Sequence, residues 1–376
     1  MRRAEDARCA GRRAAAAALA LLVATRAAGS VVVEPTARLA LTGGYDSNVR
    51  YDGKGGDQVA QISPDLGLLL KDHTWTASGS YGADLMTYPT LAPGPTVNQR
   101  GRFDLTARLS PRTRLTADFK ATYAPDPVGL ARLGIVASTG SALVLRGDAR
   151  LAWRYTPRWT LAATFRERGA DLSTGGGTLM HQPGVEAAYA LDPRTEVGVA
   201  YRFDVFQPIT AGFPYSTANE VLAVARWRWN RRVTLEAEAG PAVWTGLGTT
   251  SVVPQADVRL LAEGRQGVLR LEARHGLGIS TLARPSIADG LEVGFAWNVV
   301  RSIQLRGDGG IWRGARLPDG SNSNLGYGVG GELVWMAARS LEMGIGASRY
   351  ARVDQPSPAT ERNVYGLRLA WQHRNR

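Results

Sequence analysis

The sequence predicts an all-β fold, a transmembrane antiparallel up-and-down β-barrel of about eighteen strands with sixteen as the alternative. Three observations carry that expectation. Apolar and polar residues alternate with period two from residue 36 to the C-terminus, the mark of strands with one apolar and one polar face. Tight-turn signals recur at Asp72, Pro111, Pro157, Pro193, Arg231, Arg265, Arg301 and Arg339, spaced by 34 to 46 residues, one up-and-down hairpin per interval. No stretch beyond the first thirty residues reaches the roughly 18 apolar residues of a spanning helix. With a mean hydropathy of −0.17, any membrane span must be built of strands.

The chain opens on a leader. Arg2, Arg3, Arg8, Arg12 and Arg13 precede the apolar run from Ala14 to Ala24, and small residues follow through Ser30, the layout of a secretory signal. The run is about half as long as a membrane helix needs, so residues 1–29 are expected to be a signal peptide and residues 30–376 the barrel. The single cysteine, Cys9, lies ahead of the apolar run, which leaves the exported part without disulfides, thiolate ligands or cysteine nucleophiles. The formal charge of +12 falls to +8 when the leader's six arginines and two acids are removed. Spread at strand spacing, that charge points to anionic lipid or an acidic solute, not to nucleic acid.

Along the barrel region the two parities separate cleanly. Leu143, Leu145, Leu151, Trp153 and Tyr155 share one parity, and Arg146, Asp148, Arg150 and Arg154 the other. Val197, Val199, Tyr201 and Phe203 stand opposite Glu196, Arg202 and Asp204 in the same way. Between the tight turns lie connections expected to be longer, polar and rich in Gly and Pro, at 51–58, 88–98, 125–140, 207–219 and 354–363. Short turns at one end and longer loops at the other are the asymmetry of outer-membrane barrels, which places the tight turns and both termini on the periplasmic side. Trp75, Trp153, Trp159, Trp227, Trp229, Trp297, Trp335 and Trp371 gather near the tight-turn end of the apolar parity, as an interfacial belt does. A soluble propeller also repeats near forty residues, but its blade needs four strands and only two long ones fit each interval here.

The last strand adds its own signal. Tyr365, Leu367, Leu369 and Trp371 share the outward parity, with Gly366 between them, and the pattern resembles the C-terminal signal read by the barrel assembly machinery. The tail from Gln372 to Arg376 runs past the terminal aromatic on which such signals end. In the first strand, Ala37 to Val49, the stretch Gly44-Tyr45-Asp46-Ser47-Asn48-Val49 ends on Tyr-Asp-Ser-Asn-Val. Asp, Ser and Asn are favoured where a strand runs into a loop, because their side chains bond nearby backbone. The same stretch resembles the β-barrel porins associated with exopolysaccharide export, the myxobacterial type with about eighteen strands. The resemblance covers six residues. It implies an outer-membrane pore that passes a polysaccharide together with a periplasmic polysaccharide export protein. A general diffusion porin and a structural or adhesive surface barrel are the alternatives.

If the apolar parity faces lipid, the charged parity lines a lumen, because an arginine at the lipid midplane costs about 2 to 4 kcal/mol. Arg146, Arg150, Arg154, Arg202, Arg226, Arg228, Arg270 and Arg274, with Glu236 and Glu238, are the expected lumen charges, paired for wall shape and disposed toward anions. Phe206, Trp244, Trp312 and Tyr350 fall on the inward parity near the outer ends of their strands, where rings can stack on sugar faces. A bulge that reversed parity would place them in the outer girdle instead. Inward glycines gather at Gly276, Gly278, Gly294, Gly310, Gly326, Gly328, Gly330, Gly344 and Gly346, and curvature is the simpler expectation for them. The four histidines are not spaced with carboxylates as metal ligands or with a serine as a catalytic set. The expectation is a non-enzymatic pore of the cell outer membrane, with no cofactor or metal, in contact with outer-membrane lipid.

Overall fold

The tight turns explain themselves locally. In Ser110-Pro111-Arg112, Thr156-Pro157-Arg158, Asp192-Pro193-Arg194 and Asn230-Arg231-Arg232 the first side chain accepts from the backbone N–H two residues on, at 3.1, 3.3, 2.6 and 2.7 Å. In the last three it also accepts from the N–H that follows, at 3.0, 2.9 and 3.0 Å. Proline at the second position presets the backbone angle such turns require. The Arg194 N–H, with Thr195 beside it, holds the Asp192 carboxyl below its usual range.

The computed structural model describes residues 31–49, 55–90, 92–125, 141–173, 176–209, 214–279, 285–317, 324–354 and 360–374. The expected leader at 1–29 and residues 126–140 of the connection expected at 125–140 lie outside the described residues. Eighteen strands follow one another: β1 Val32–Asp46, β2 Asp57–Lys71, β3 Trp75–Tyr88, β4 Ala92–Arg108, β5 Thr113–Ala124 and β6 Ala142–Arg154. Next come β7 Trp159–Leu172, β8 Gly176–Ala190, β9 Thr195–Pro208, β10 Ser216–Arg228, β11 Val233–Gly246 and β12 Thr249–Glu263. The last are β13 Gly267–Ile279, β14 Pro285–Val300, β15 Ile303–Arg316, β16 Asn324–Ala338, β17 Leu341–Asp354 and β18 Thr360–Arg374. Each pairs antiparallel with its sequence neighbours, and β1 pairs with β18 as well as β2, so the sheet closes on itself. All eight expected tight turns fall between paired strands on one end.

The other end differs from expectation. The segment expected as a loop at 88–98 is mostly strand, since β3 runs to Tyr88, β4 starts at Ala92, and Asn98 pairs with Asp84. Leu247 and Gly248, at φ 53° and 75°, form a two-residue hairpin turn between β11 and β12, the geometry that suits twisted strands. Asn219 and Asn363 likewise lie inside β10 and β18. Above the lipid both faces of a strand are wet, so the alternation disappears although the pairing continues.

The outward parity is apolar and exposed, from Leu39 and Leu41 on β1 to Leu367, Leu369 and Trp371 on β18. Eight residues separate Trp227 from Asn219, Trp159 from Glu167, Trp297 from Asp289 and Trp371 from Asn363, each pair on the outward face of one strand. At a rise of about 3.3 Å and a tilt of about 40°, that is an apolar band roughly 20 Å tall, bounded by tryptophan below and by polar side chains above.

The seam between first and last strands carries the Asp46-Ser47-Asn48 stretch. Asn48 N–H donates to Asp46 Oδ1 at 3.1 Å, the local cap expected of such residues. Three further bonds reach β18: Ser47 N–H to the Asn363 carbonyl at 2.9 Å, Asn363 N–H to Ser47 Oγ at 2.8 Å, and Asn48 Nδ2 to the Glu361 carbonyl at 2.8 Å. Arg362 forks onto both oxygens of Asp46, with side chains 6% and 1% exposed. Past Trp371, β18 continues to Arg374 opposite Thr36, so the tail belongs to the closing strand. Removing one partner of a buried pair leaves the other charge uncompensated, so Asp46→Ala is expected to lower the unfolding free energy by about 3 kcal/mol or more. Urea unfolding in phospholipid vesicles measures this. Asp84→Ala, which breaks the pair with the exposed Arg100, is expected to lower it by less than about 1 kcal/mol.

Candidate functional site in the barrel lumen

The inward parity assembles into charge networks that span neighbouring strands. Glu186 on β8 takes both nitrogens of Arg150, at 2.6 and 2.9 Å, and both of Arg226, at 2.7 and 2.8 Å. Arg226 also reaches Glu196 at 2.6 Å and lies 4.0 Å from Glu236. Deeper in the wall Arg202 bonds Glu238 at 2.5 Å, Arg166 lies 3.8 Å from Glu238, and Arg168 grips Asp148 at 2.9 and 3.0 Å. Gln182 donates to Asp204 at 2.6 Å and to Glu220 at 3.4 Å, joining two buried carboxylates, with Arg202 4.0 Å from Glu220. A second network on the other side joins Arg368 to Glu332 at 2.5 Å and to Glu342 at 3.4 Å, with Arg306 3.6 Å from Glu342.

One hairpin parts from the strand before it and bends inward while staying paired with the strand after it. Pairing between β12 and β13 stops at Ala256 opposite His275, and the Gln255 side chain replaces the next backbone partner by accepting from Leu277 N–H at 3.1 Å. Gly276 adopts φ +153° at this point, where a Cβ would run into the Gln255 amide. Only glycine takes such a conformation without strain. Beyond it, Leu277 and Ile279 on β13 and Ile287 on β14 pack against Met180, Phe206, Ala218, Trp244 and Val253, inward residues of β8 to β12. Ile279 also packs against the cluster formed by Ala124, Ala142, Ala170 and Leu172 of β5 to β7. The outer end of the β13–β14 hairpin therefore lies inside the barrel mouth, with β13 Cα atoms within 8 Å of β7 and β8.

Below and beside the hairpin remains a cavity of about 930 Å³. Its walls include Arg146, Arg166, Arg168, Arg202, Arg259, Arg270 and Arg274 against Glu220, Glu236, Glu238, Asp257, Glu272, Glu292 and Asp308, as many carboxylates as guanidiniums on the inward parity. Most are locked to one another. Arg270 and Arg274 are exposed to the cavity and meet no described carboxylate at ion-pair distance.

Strand register puts every expected lumen charge on the inward face, in different situations. Arg150, Arg202, Arg226, Glu236 and Glu238 belong to the networks above. Arg146 stands exposed, 3.8 Å from Asp148. Arg154 and Arg228 sit at the tight-turn rim, where Arg154 reaches the Pro111 carbonyl at 3.5 Å. The four expected aromatics also keep the inward parity, without a reversing bulge, but two of them offer no ring to a sugar: Phe206 and Trp244 are 0% and 1% exposed beneath the hairpin. Trp312 and Tyr350 pack together and border the cavity. The glycines expected to mark curvature include seats for these rings, since a Cβ on Gly326 would strike Trp312 and one on Gly328 would strike Tyr350. Gly344 makes room for Glu332 in the same way, whereas Gly294 has nothing within 4 Å.

Sequence reasoning did not find Gln255, Gly276 and the three apolar residues of the hairpin as a site. Leu277, Ile279 and Ile287 keep the lipid-facing parity of their strands, and a bend changes what a face meets without changing its periodicity.

An apolar outer band edged with tryptophan, a charged lumen and a sheet with no free edge define a multi-pass transmembrane barrel of the outer-membrane type. Similar folds include OccAB4 of Acinetobacter baumannii (9% identity, 91% of this chain and 98% of that one, TM-score 0.46) and a BenF-like porin from Pseudomonas fluorescens Pf-5 (12%, 92% and 99%, TM-score 0.46). The outer membrane channel DcaP of Acinetobacter baumannii is another (11%, 92% and 97%, TM-score 0.45). No solute, selectivity or partner transfers at these levels of similarity. No protein-family model and no curated protein sequence matches the chain.

Loss of the Gln255 amide leaves the Leu277 N–H unpaired at the bend, so Gln255→Ala is expected to loosen the hairpin and raise single-channel conductance in planar bilayers, with larger current fluctuation than wild type.

Proposed function

We propose that the chain is a diffusion channel for small polar solutes. The observation that carries this reading is the water-accessible cavity of about 930 Å³, walled by balanced charge and narrowed by an apolar hairpin. That volume falls within the roughly 300 to 1,000 Å³ typical of small-molecule sites, and it suits a single solute better than a polymer. Exopolysaccharide export would draw support from a track of open aromatic rings. Two of the four rings expected to form such a track lie under the hairpin, which favours the small-solute reading over a polysaccharide and its periplasmic partner.

Charge placement favours weak selectivity. Arg270 and Arg274 project from β13, while Glu292 on β14 and Asp308 on β15 face the same cavity. Side by side they form a transverse field that can orient a zwitterion or a dipole without excluding either sign of ion. In a KCl gradient wild type is expected to show a reversal potential close to zero, and Arg270→Gln with Arg274→Gln together should shift it toward cation preference. Proteoliposomes should swell in single sugars and amino acids and resist long oligosaccharides. A barrel that is electrically silent and impermeable to small solutes would instead favour the structural or adhesive reading, and passage of long oligosaccharides would return the polysaccharide.

A further inference from the structure

Seven of the eight tight turns carry an arginine directly below the tryptophan level: Arg112, Arg158, Arg194, Arg231 with Arg232, Arg265, Arg301 and Arg339. At three of these levels the outer surface carries pairs of rings. Trp227 stacks on Trp229 with centroids 5.1 Å apart, Trp153 meets Tyr155 at 5.2 Å, and Trp159 meets Tyr189 at 5.1 Å. The β12–β13 turn, Gly264-Arg265-Gln266, is different. Its outward positions are small, Ala262 at the end of β12 and Gly267 at the start of β13, and a Cβ at Gly267 would run into the Ala296 carbonyl. The missing side chains leave an open groove of about 440 Å³ on the lipid-facing surface, flanked by Leu269, Phe295 and Trp297. Trp297 Nε1 donates to Gln266 Oε1 at 3.4 Å, tying the ring to the turn. The Arg265 side chain is exposed at the mouth of the groove, and no described carboxylate lies at ion-pair distance from it.

We propose that this groove is a binding site for one anionic phospholipid, with an acyl chain along Leu269, Phe295 and Trp297 and the phosphodiester on Arg265. Two independent features meet here. The apolar trough lies at the level where acyl chains begin, just inside the tryptophan belt. The unpaired guanidinium lies one step further out, where headgroup phosphates sit, and it presents a planar fork that matches a phosphate. An apolar trough alone would accept any chain, and a basic rim alone would attract any anionic surface. Their juxtaposition specifies a lipid that supplies both, and the site stands whether or not the lumen conducts.

The test exchanges the detergent-solubilised barrel into equal amounts of phosphatidylglycerol and phosphatidylethanolamine and counts retained lipids by native mass spectrometry. Wild type is expected to retain the anionic lipid several-fold over the zwitterionic one. Arg265→Gln should bring the two to parity, while Ala262→Phe, which fills the trough and keeps the charge, should reduce retention of both. Arg339→Gln, at a turn remote from the groove, should leave the ratio as in wild type. Equal retention of the two lipids by wild type overturns the proposal. So does an equal loss in Arg265→Gln and Arg339→Gln, which would reduce the effect to a diffuse basic rim. Heat-dependent gel mobility reports whether each variant is closed, and Ala262→Leu serves as the milder filler if the phenylalanine prevents folding.

Discussion

Hydrocarbon offers no partner to a backbone N–H or carbonyl, so a sheet in lipid must close on itself. Everything else in this molecule follows from that requirement. Closure needs the first and last strands to find each other across more than three hundred residues of chain, and β1 and β18 do so in register from Thr36 opposite Arg374 to Asp46 opposite Val364. Above the last ladder bonds, Ser47, Asn48 and the Asp46–Arg362 pair continue the seam with side chains. Two arrangements were compatible with this stretch as sequence, a local cap and a family signature. The structure adds a third role, that of joining the ends of the barrel. Once the sheet is closed, the pleat assigns each residue to lipid or lumen, and a one-residue slip would exchange the two faces.

The lumen uses charge in two ways. Locked groups such as Glu186 between Arg150 and Arg226 tie strands two places apart in chain order, β6 to β8 and β8 to β10, and they stiffen the wall between them. Free groups such as Arg270 and Arg274 remain available to whatever enters. On the channel reading proposed above, this division keeps a lumen with many arginines from being strongly anion-selective. Most guanidiniums are already occupied, and the acids that occupy them cancel their field. What narrows the lumen is apolar: Leu277, Ile279 and Ile287 on a hairpin that covers Phe206 and Trp244.

Much of this could be read from the sequence for identifiable physical reasons. The tight turns were legible because Ser, Thr or Asp followed by Pro-Arg, like Asn followed by Arg-Arg, is turn chemistry in itself, independent of tertiary context. The lipid face was legible because lipid imposes a uniform demand on every outward position between Trp297 and Asp289 or between Trp159 and Glu167. Where that demand ends, legibility ends too. Strand ends beyond the apolar band, such as Asn98 and Asn219, looked like loop because nothing there enforces alternation. The inward bend at Gly276 was hidden because Gly276 resembled the other lumen glycines and its neighbours kept their parity. Only the pairing of Leu277 with the Gln255 side chain, a contact between different strands, distinguishes it. Trp312 and Tyr350 lie flat over Gly326 and Gly328 for a related reason: glycine periodicity in the sequence records room for a ring as readily as it records curvature.

The outer end of β13 lies inside the barrel against β5 to β7. The barrel region from residue 30 onward contains no cysteine, so an introduced pair reports without interference. With Ile279→Cys and Ala170→Cys placed on facing surfaces of the same apolar cluster, mild oxidation of the folded barrel in a lipid bilayer is expected to form the cross-link rapidly and to leave conductance unchanged, because the bond records a position already occupied. Failure of the pair to cross-link in a barrel of normal heat-dependent mobility, or a cross-link that forms slowly and lowers conductance, would place the hairpin outside the mouth.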